Sequence, residues 1–189
     1  MKLFIISDTH FRHKNIIKYS NRPFKSVEEM DKEMTKRWNN KVGKGDVVFH
    51  LGDFALGSEK EIKELKDSLN GKIFLLKGNH DHKSLRKAGF TIINGTFEIG
   101  NFIFSHNPLK KEDIPIGFIN VHGHIHERES LNGINVCVEK INYAPIDFTE
   151  LKKVLKDSKF KDSFKGVFME KKFDIDFKKL DQLVDLKRE

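Results

Sequence analysis

The sequence predicts an α/β fold on three observations. Five short apolar runs rich in Ile, Val and Phe read as buried strands. Each of them ends in a cluster of metal-ligand residue types, and capped amphipathic stretches lie between several of them. Polar ligands placed just past the carboxyl ends of strands are how open α/β sheets build their sites. At 189 residues, with 38% hydrophobic and 33% charged residues, the chain has the length for one domain with a proper core. The repeated punctuation implies a single polynuclear metal centre assembled from distant segments.

Taken in order, Ile5-Ile6 leads into Ser7-Asp8-Thr9-His10, and a basic stretch from Phe11 to Phe24 follows. Ser26 and Glu29 have the spacing of a capping box at a helix start. Val27, Met30, Met34 and Trp38 then form one apolar stripe, read as core contact. Val47-Val48-Phe49 ends at Leu51-Gly52-Asp53. Ser58 with Glu61 repeats the cap, with Ile62, Leu65 and Leu69 on one face and Gly71 as the stop. Ile73 to Leu76 delivers Gly78-Asn79-His80-Asp81, and residues 82–88 suit one or two helical turns. Thr91 to Ile93 and Thr96 to Ile99 flank Asn94-Gly95, a strong hairpin signal, so these two runs are expected to pair. Gly100-Asn101 turns into Phe102-Ile103-Phe104, which delivers His106. Phe118 to Val121 leads to Gly123-His124-Ile125-His126, Ile134 to Val138 reads as a strand, and Thr149 opens a short helix through Leu155. The expected organisation is a single domain over 1–189. Its extension, 157–189, is rich in Phe (Phe160, Phe164, Phe168, Phe173, Phe177), packs on the rest, and carries a last helix with Leu180, Leu183 and Val184.

The bulk numbers exclude some classes. No apolar stretch reaches the length of a membrane span, and Met1 to Ile6 is too short for a signal peptide and lacks a cleavage site. Cys137 is the single cysteine, so no intramolecular disulfide forms and a reducing, cytoplasmic setting is expected. A net charge of +7 permits an anionic partner without requiring one. Residues 150–189 carry 12 of the 35 Lys/Arg and 9 of the 28 Asp/Glu, so the excess is not a basic tail. All nine histidines fall before residue 127, which separates chemistry from scaffold.

Asp8, His10, Asp53, Asn79, His106, His124 and His126 offer carboxylate, imidazole and amide-oxygen ligands. The two-residue spacing of Asp8-x-His10 and His124-x-His126 would put both side chains of each pair on one side of an extended segment. Nitrogen and oxygen ligands without thiolate suit Mn2+, with Fe, Ni2+ or Zn2+ as alternatives. Seven ligands are too many for one ion and suffice for two divalent ions that share a carboxylate. His50 and His122 lie inside apolar runs and read as core or supporting histidines; His82 is left open between a helix cap and a phosphate contact.

Asp8-Thr9-His10, Gly52-Asp53, Gly78-Asn79-His80-Asp81, His106 and Gly123-His124-Ile125-His126 resemble the ordered motifs of the calcineurin-like metallophosphoesterase superfamily. The resemblance spans residues 8 to 126 and fills every ligand position. It implies a fold of two mixed β-sheets packed as a sandwich and flanked by helices. It also implies one ion on Asp8, His10, Asp53 and His126, and a second on Asp53, Asn79, His106 and His124. Asp53 would bridge, with a water or hydroxide between the ions. His80 would face the substrate and protonate the leaving oxygen, with Asp81 orienting its imidazole.

Asp53 is followed by Phe54-Ala55-Leu56-Gly57, and Asp81 stands after the Asn-His pair. The superfamily's Ser/Thr protein phosphatases carry arginine and glutamate there, so protein phosphatase activity is disfavoured. Asp8-Thr9-His10-Phe11 and Arg22-Pro23-Phe24 are similar to motifs of small bacterial and phage phosphoesterases. Arg12 and Arg22 are the candidate substrate contacts, as bidentate partners of phosphate. The expected activity is metal-dependent hydrolysis of phosphodiesters or phosphomonoesters, of a small molecule or nucleotide, with no membrane partner. Two rivals stand beside it: a nuclease or nucleic-acid end-processing enzyme on the same site, favoured by the positive charge, and a non-enzymatic interaction scaffold, disfavoured by the intact ligand set.

Overall fold

Two sheets stack face to face in the computed structural model, which describes residues 1–157. The first sheet contains β1 (Leu3–Ile6), β2 (Val47–His50), β3 (Lys72–Leu76), β4 (Thr91–Ile93) and β9 (Ile146–Asp147), in the order β4-β3-β2-β1-β9. Its first four strands run parallel, and β9 joins β1 antiparallel. The second holds β5 (Phe97–Ile99), β6 (Phe102–Ser105), β7 (Ile119–His122) and β8 (Gly133–Asn135), in chain order. There β5 and β6 form an antiparallel hairpin, and β6, β7 and β8 run parallel. Both sheets are mixed, as the sequence resemblance implies.

Alternation along the strands explains why they read as continuous apolar runs. Leu3 and Ile5 of β1, Val47 and Phe49 of β2, and Phe74 and Leu76 of β3 point between the sheets, where they meet Phe97, Phe102, Phe104 and Val121. Phe4, Ile6, Val48, Ile73 and Leu75 point the other way, toward helices. Those helices are α1 (Ile16–Tyr19), α2 (Val27–Lys41), α3 (Glu59–Ser68) and α4 (Lys83–Lys87). A strand buried on both faces has no polar side to show. Met30, Met34 and Trp38 of α2 enter this second core as their spacing predicts. The last helix among the described residues, α5 (Phe148–Asp157), puts Phe148 and Leu151 into the inter-sheet core. Among the described residues, no helix is long and apolar enough to cross a membrane.

Three local expectations change. Asn94-Gly95 is not a hairpin turn: β4 pairs with β3 in one sheet and β5 with β6 in the other. Ile93 and Phe97 both bury in the inter-sheet core while residues 94–96 are exposed, so the segment is a crossover between sheets. Burial on either side of the turn outweighs the turn's own preference for pairing. The Ser58–Glu61 capping box forms in full, but at α2 Ser26 accepts from the Glu29 N–H while the Glu29 carboxylate turns to the Lys25 N–H. The strand expected over 134–138 stops at Asn135. Val136 and Cys137 then run beside Ser7, and Val138–Lys140 forms a 3-10 turn. The expected packing of the extension beyond Asp157, and its last helix, lie outside the described residues.

Candidate metal centre

The strands deliver their ligand residues to one place. Beyond β1, the Asp8–Phe11 loop lies along the Asp53–Phe54 loop beyond β2, laced by His10 N–H to Asp53 O at 3.0 Å and Phe11 N–H to Phe54 O at 2.9 Å. Asp8, His10, Asp53, His124 and His126 all have left-handed backbones, with φ between 48° and 68°. Such conformations cost on the order of 1–3 kcal/mol each and persist where the surroundings impose them, typically at sites. The Asp8/His10 and His124/His126 pairs therefore converge through tight loops rather than along extended segments, as their spacing alone had suggested. Glycine permits the crowding. A Cβ on Gly78 would collide with the Asp53 carboxylate and backbone, and one on Gly123 with Ser7 and the Asp8 carboxylate.

Two overlapping groups of donor atoms result. His10 Nε2 lies 3.8 Å from Asp8 Oδ1 and 3.5 Å from Asp53 Oδ2, and His126 Nε2 lies 3.9 Å from Asp8 Oδ1. On the other side, Asp53 Oδ2 lies 3.5 Å from His106 Nε2. Asn79 Oδ1 is 2.8 Å from His106 Nε2 and 3.0 Å from His124 Nδ1. Two donors each about 2.1 Å from a common ion sit about 3 Å apart when adjacent and about 4.2 Å apart when opposite. The spacings fit that window. Asp8 Oδ1 and His10 Nε2 are moreover buried without a hydrogen-bond partner. A desolvated carboxylate oxygen and ring nitrogen left unpaired in this way are costly unless a cation meets them. The donor set thus fits divalent metal.

Several donors are aimed by a second contact. Asp8 Oδ2 accepts from Ser7 Oγ at 2.5 Å, the His124 N–H at 2.8 Å and Cys137 Sγ at 3.3 Å, which leaves Oδ1 to the site. His106 Nδ1 meets Leu51 O at 2.9 Å, and His126 Nδ1 meets Glu139 Oε1 at 3.0 Å, so both rings turn Nε2 inward. Burial raises the Asp8 carboxyl above its usual range and lowers His10 to about 2. Burial also pushes Asp53 up, but hydrogen bonding and charge from His106 and the His80 N–H overcome it and bring Asp53 to about 2. His50 and His122 are buried supports. His50 Nε2 pairs with Thr9 Oγ1 at 2.8 Å, and His122 Nε2 with Ser130 Oγ at 2.7 Å. His82 starts α4 but caps it with no side-chain bond.

His80 is exposed, with its N–H donated to Asp53 Oδ1 at 2.8 Å and its ring 5.5 Å from that of His10. It borders a cleft of about 290 Å³ together with His10, His13, Tyr19, His126 and Arg128.

Three expectations are corrected here. Asp81 does not orient His80: its oxygens accept the N–H groups of Asp53, Phe54 and Gly78 at 2.8–2.9 Å, fixing the two ligand loops together. Arg22 cannot meet substrate, because its side chain is fully buried and its guanidinium is already engaged. It donates to Asp8 O and Thr9 O at 2.7 Å and to Glu139 Oε1 at 2.8 and 2.9 Å. Arg12 pairs with Glu61 and is absent from the cleft lining, where Arg128 stands instead. Sequence reasoning missed Glu139, which links His126 to Arg22. Its one signal was an acid directly after the apolar run Val136-Cys137-Val138.

A family model for calcineurin-like phosphoesterases matches residues 1–175. An uncharacterized protein of Methanocaldococcus jannaschii is 41% identical over 169 residues, covering 84% of this chain and 93% of its own length. The gene 66 protein of Mycobacterium phage L5 is 40% identical over 78 residues, which cover 40% of this chain and 37% of the phage protein. A protein of unknown function from Aquifex aeolicus superposes with a TM-score of 0.64 at 26% identity, over 81% of this chain and 98% of that one.

Proposed function

The chain belongs to the calcineurin-like phosphoesterase family, and from that premise we propose that it hydrolyses phosphodiesters or phosphomonoesters at a pair of divalent ions. One observation carries the pair: Asp53 Oδ2 lies 3.5 Å from both His10 Nε2 and His106 Nε2, at the junction of the two donor groups. Asp8, His10, Asp53 and His126 would hold one ion; Asp53, Asn79, His106 and His124 would hold the other. When bound, such a pair supplies an activated water and neutralises charge on the phosphoryl oxygens. Mn2+ suits the donors, which include no thiolate.

The remaining work falls to the chain itself. His80, at the cleft rim with its backbone tied to Asp53, donates a proton to the leaving oxygen. Asp81 keeps the Asp53 and Gly78 loops in register, so that the bridging carboxylate and His80 move as one unit. Arg22 and Glu139 hold the Asp8–Thr9 backbone and the His126 ring from behind.

The test is hydrolysis of p-nitrophenyl phosphate and bis(p-nitrophenyl) phosphate by Mn2+-loaded protein. Chelation is expected to abolish turnover. His80→Ala is expected to lower kcat by about 10²–10³-fold with bound metal unchanged. Unaltered turnover in that variant would remove His80 from the chemistry, and inert protein with full metal content would overturn the hydrolase reading.

A further inference from the structure

A second cavity, of about 580 Å³, is lined by Asp81 and His82, next in sequence to His80 of the cleft. Its wall includes Lys77 beyond β3, His82 in the turn, and Lys83, Arg86 and Lys87 of α4. The last three sit at i, i+3 and i+4, so they share a helix face. Among the described residues its one carboxylate is Asp81, which is buried and already accepts three backbone N–H groups.

The charge here is uncompensated, whereas several cations elsewhere are paired. On α3, Lys60 pairs with Glu64 and Lys63 with Asp67; on α2, Arg37 pairs with Glu33; and Lys140 pairs with Glu129. The sequence contains no Asp or Glu between Asp81 and Glu98. Among the described residues, none of the five basic side chains lining the cavity makes a hydrogen bond or an ion pair. Like charges three and four residues apart repel, and the repulsion is relieved when an anion lies between them. Asp81, which lines the cavity, also holds the N–H groups of Asp53 and Gly78, so the basic wall shares a residue with the ligand loops.

We propose that this cavity binds a phosphate of the substrate other than the one cleaved, so that the substrate is a phosphoester with at least two phosphates. An oligonucleotide strand and a nucleoside polyphosphate share that chemistry. The inference rests on the phosphoesterase reading only for what happens at the scissile bond. Binding in the cavity is a property of the protein without metal.

Anisotropy of a fluorescein-labelled single-stranded oligonucleotide, and separately of a fluorescent ATP analogue, tests it in EDTA at rising salt. The triple variant Lys83→Gln, Arg86→Gln, Lys87→Gln is compared with a remote triple of exposed lysines, Lys32→Gln, Lys41→Gln, Lys44→Gln. The cavity triple is expected to weaken binding about tenfold or more and to flatten the salt slope by about 2, at roughly 0.7 per single-strand phosphate contact. Arg86→Gln alone, a milder change should the triple fail to fold, is expected to weaken binding about threefold. Loss for the oligonucleotide assigns the cavity to a strand, and loss for the ATP analogue alone assigns it to a polyphosphate. Equal effects of the two triples, or no effect of either cavity variant, would overturn the proposal. Hydrolysis of bis(p-nitrophenyl) phosphate by the cavity triple should stay within about twofold of the parent. If neither protein hydrolyses that ester while the binding loss persists, the catalytic reading falls and the cavity stands.

Discussion

Asp8, His10 and His126 have buried side chains stacked behind them, whereas Asn79 and His124 reach the surface and lean on His106 and each other. Behind the first set, Glu139 takes the His126 ring and the Arg22 guanidinium, and Arg22 takes the Asp8 and Thr9 carbonyls. Among the described residues the second set has a thinner layer: the His106 ring is held by Leu51 O and the His124 backbone N–H by Asp8 Oδ2. The difference teaches where preorganisation resides. The donor types on the two sides are much alike, so rigidity comes from what is packed behind them. On that basis the first ion is expected to bind more tightly than the second.

Asp53→Asn should erase the distinction, because both groups use that carboxylate. We expect loss of both ions by metal analysis and a fall in kcat of about a thousandfold or more. Near-normal rates would contradict a shared carboxylate. Glu139→Gln should sharpen the distinction. It retains an acceptor for His126 but removes the charge, and should weaken the first ion about 10–100-fold in Mn2+ calorimetry while sparing the second. Asn79→Ala should do the reverse, at about tenfold. Equal losses of both ions in each variant would mean that the two sides are a single rigid unit.

The donors themselves were legible because each follows an apolar run closely in sequence, so a local pattern reports a spatial site. Asp53 and His106 could be read from the strand before each of them. What stands behind the donors could not. Arg22 and Glu139 meet across 117 residues, and a basic loop residue is expected to be exposed, which is why Arg22 reads as a substrate contact. Asp81 sits where an orienting acid belongs in the motif, yet three backbone N–H groups claim its oxygens. In the fold, the strands and the capped helices α2 and α3 were visible as periodicity. The β4-to-β5 crossover was not, since Asn94-Gly95 reports a turn and says nothing of which sheet receives the next strand. β9 was missed altogether, being two residues long and half-buried.

The smallest expected effect tests how far the bracing extends along the first loop. Asp31 of α2 accepts the Arg12 N–H at 3.1 Å from both oxygens, two residues beyond His10. Burial raises its carboxyl from 3.8 to about 6. The folded state therefore holds that proton more tightly than the unfolded chain does. Its stabilising contribution is complete below the unfolded value near 3.8 and is lost as pH rises through about 6. Asp31→Asn keeps an acceptor for Arg12 and removes the charge. Thermal melts should show the variant level with the parent near pH 4 and more stable above pH 7, by on the order of 1 kcal/mol once partial exposure is allowed for. If the variant is instead less stable at neutral pH, the ionised carboxylate is a needed brace, and the rigid layer behind the first donor set reaches out to Arg12.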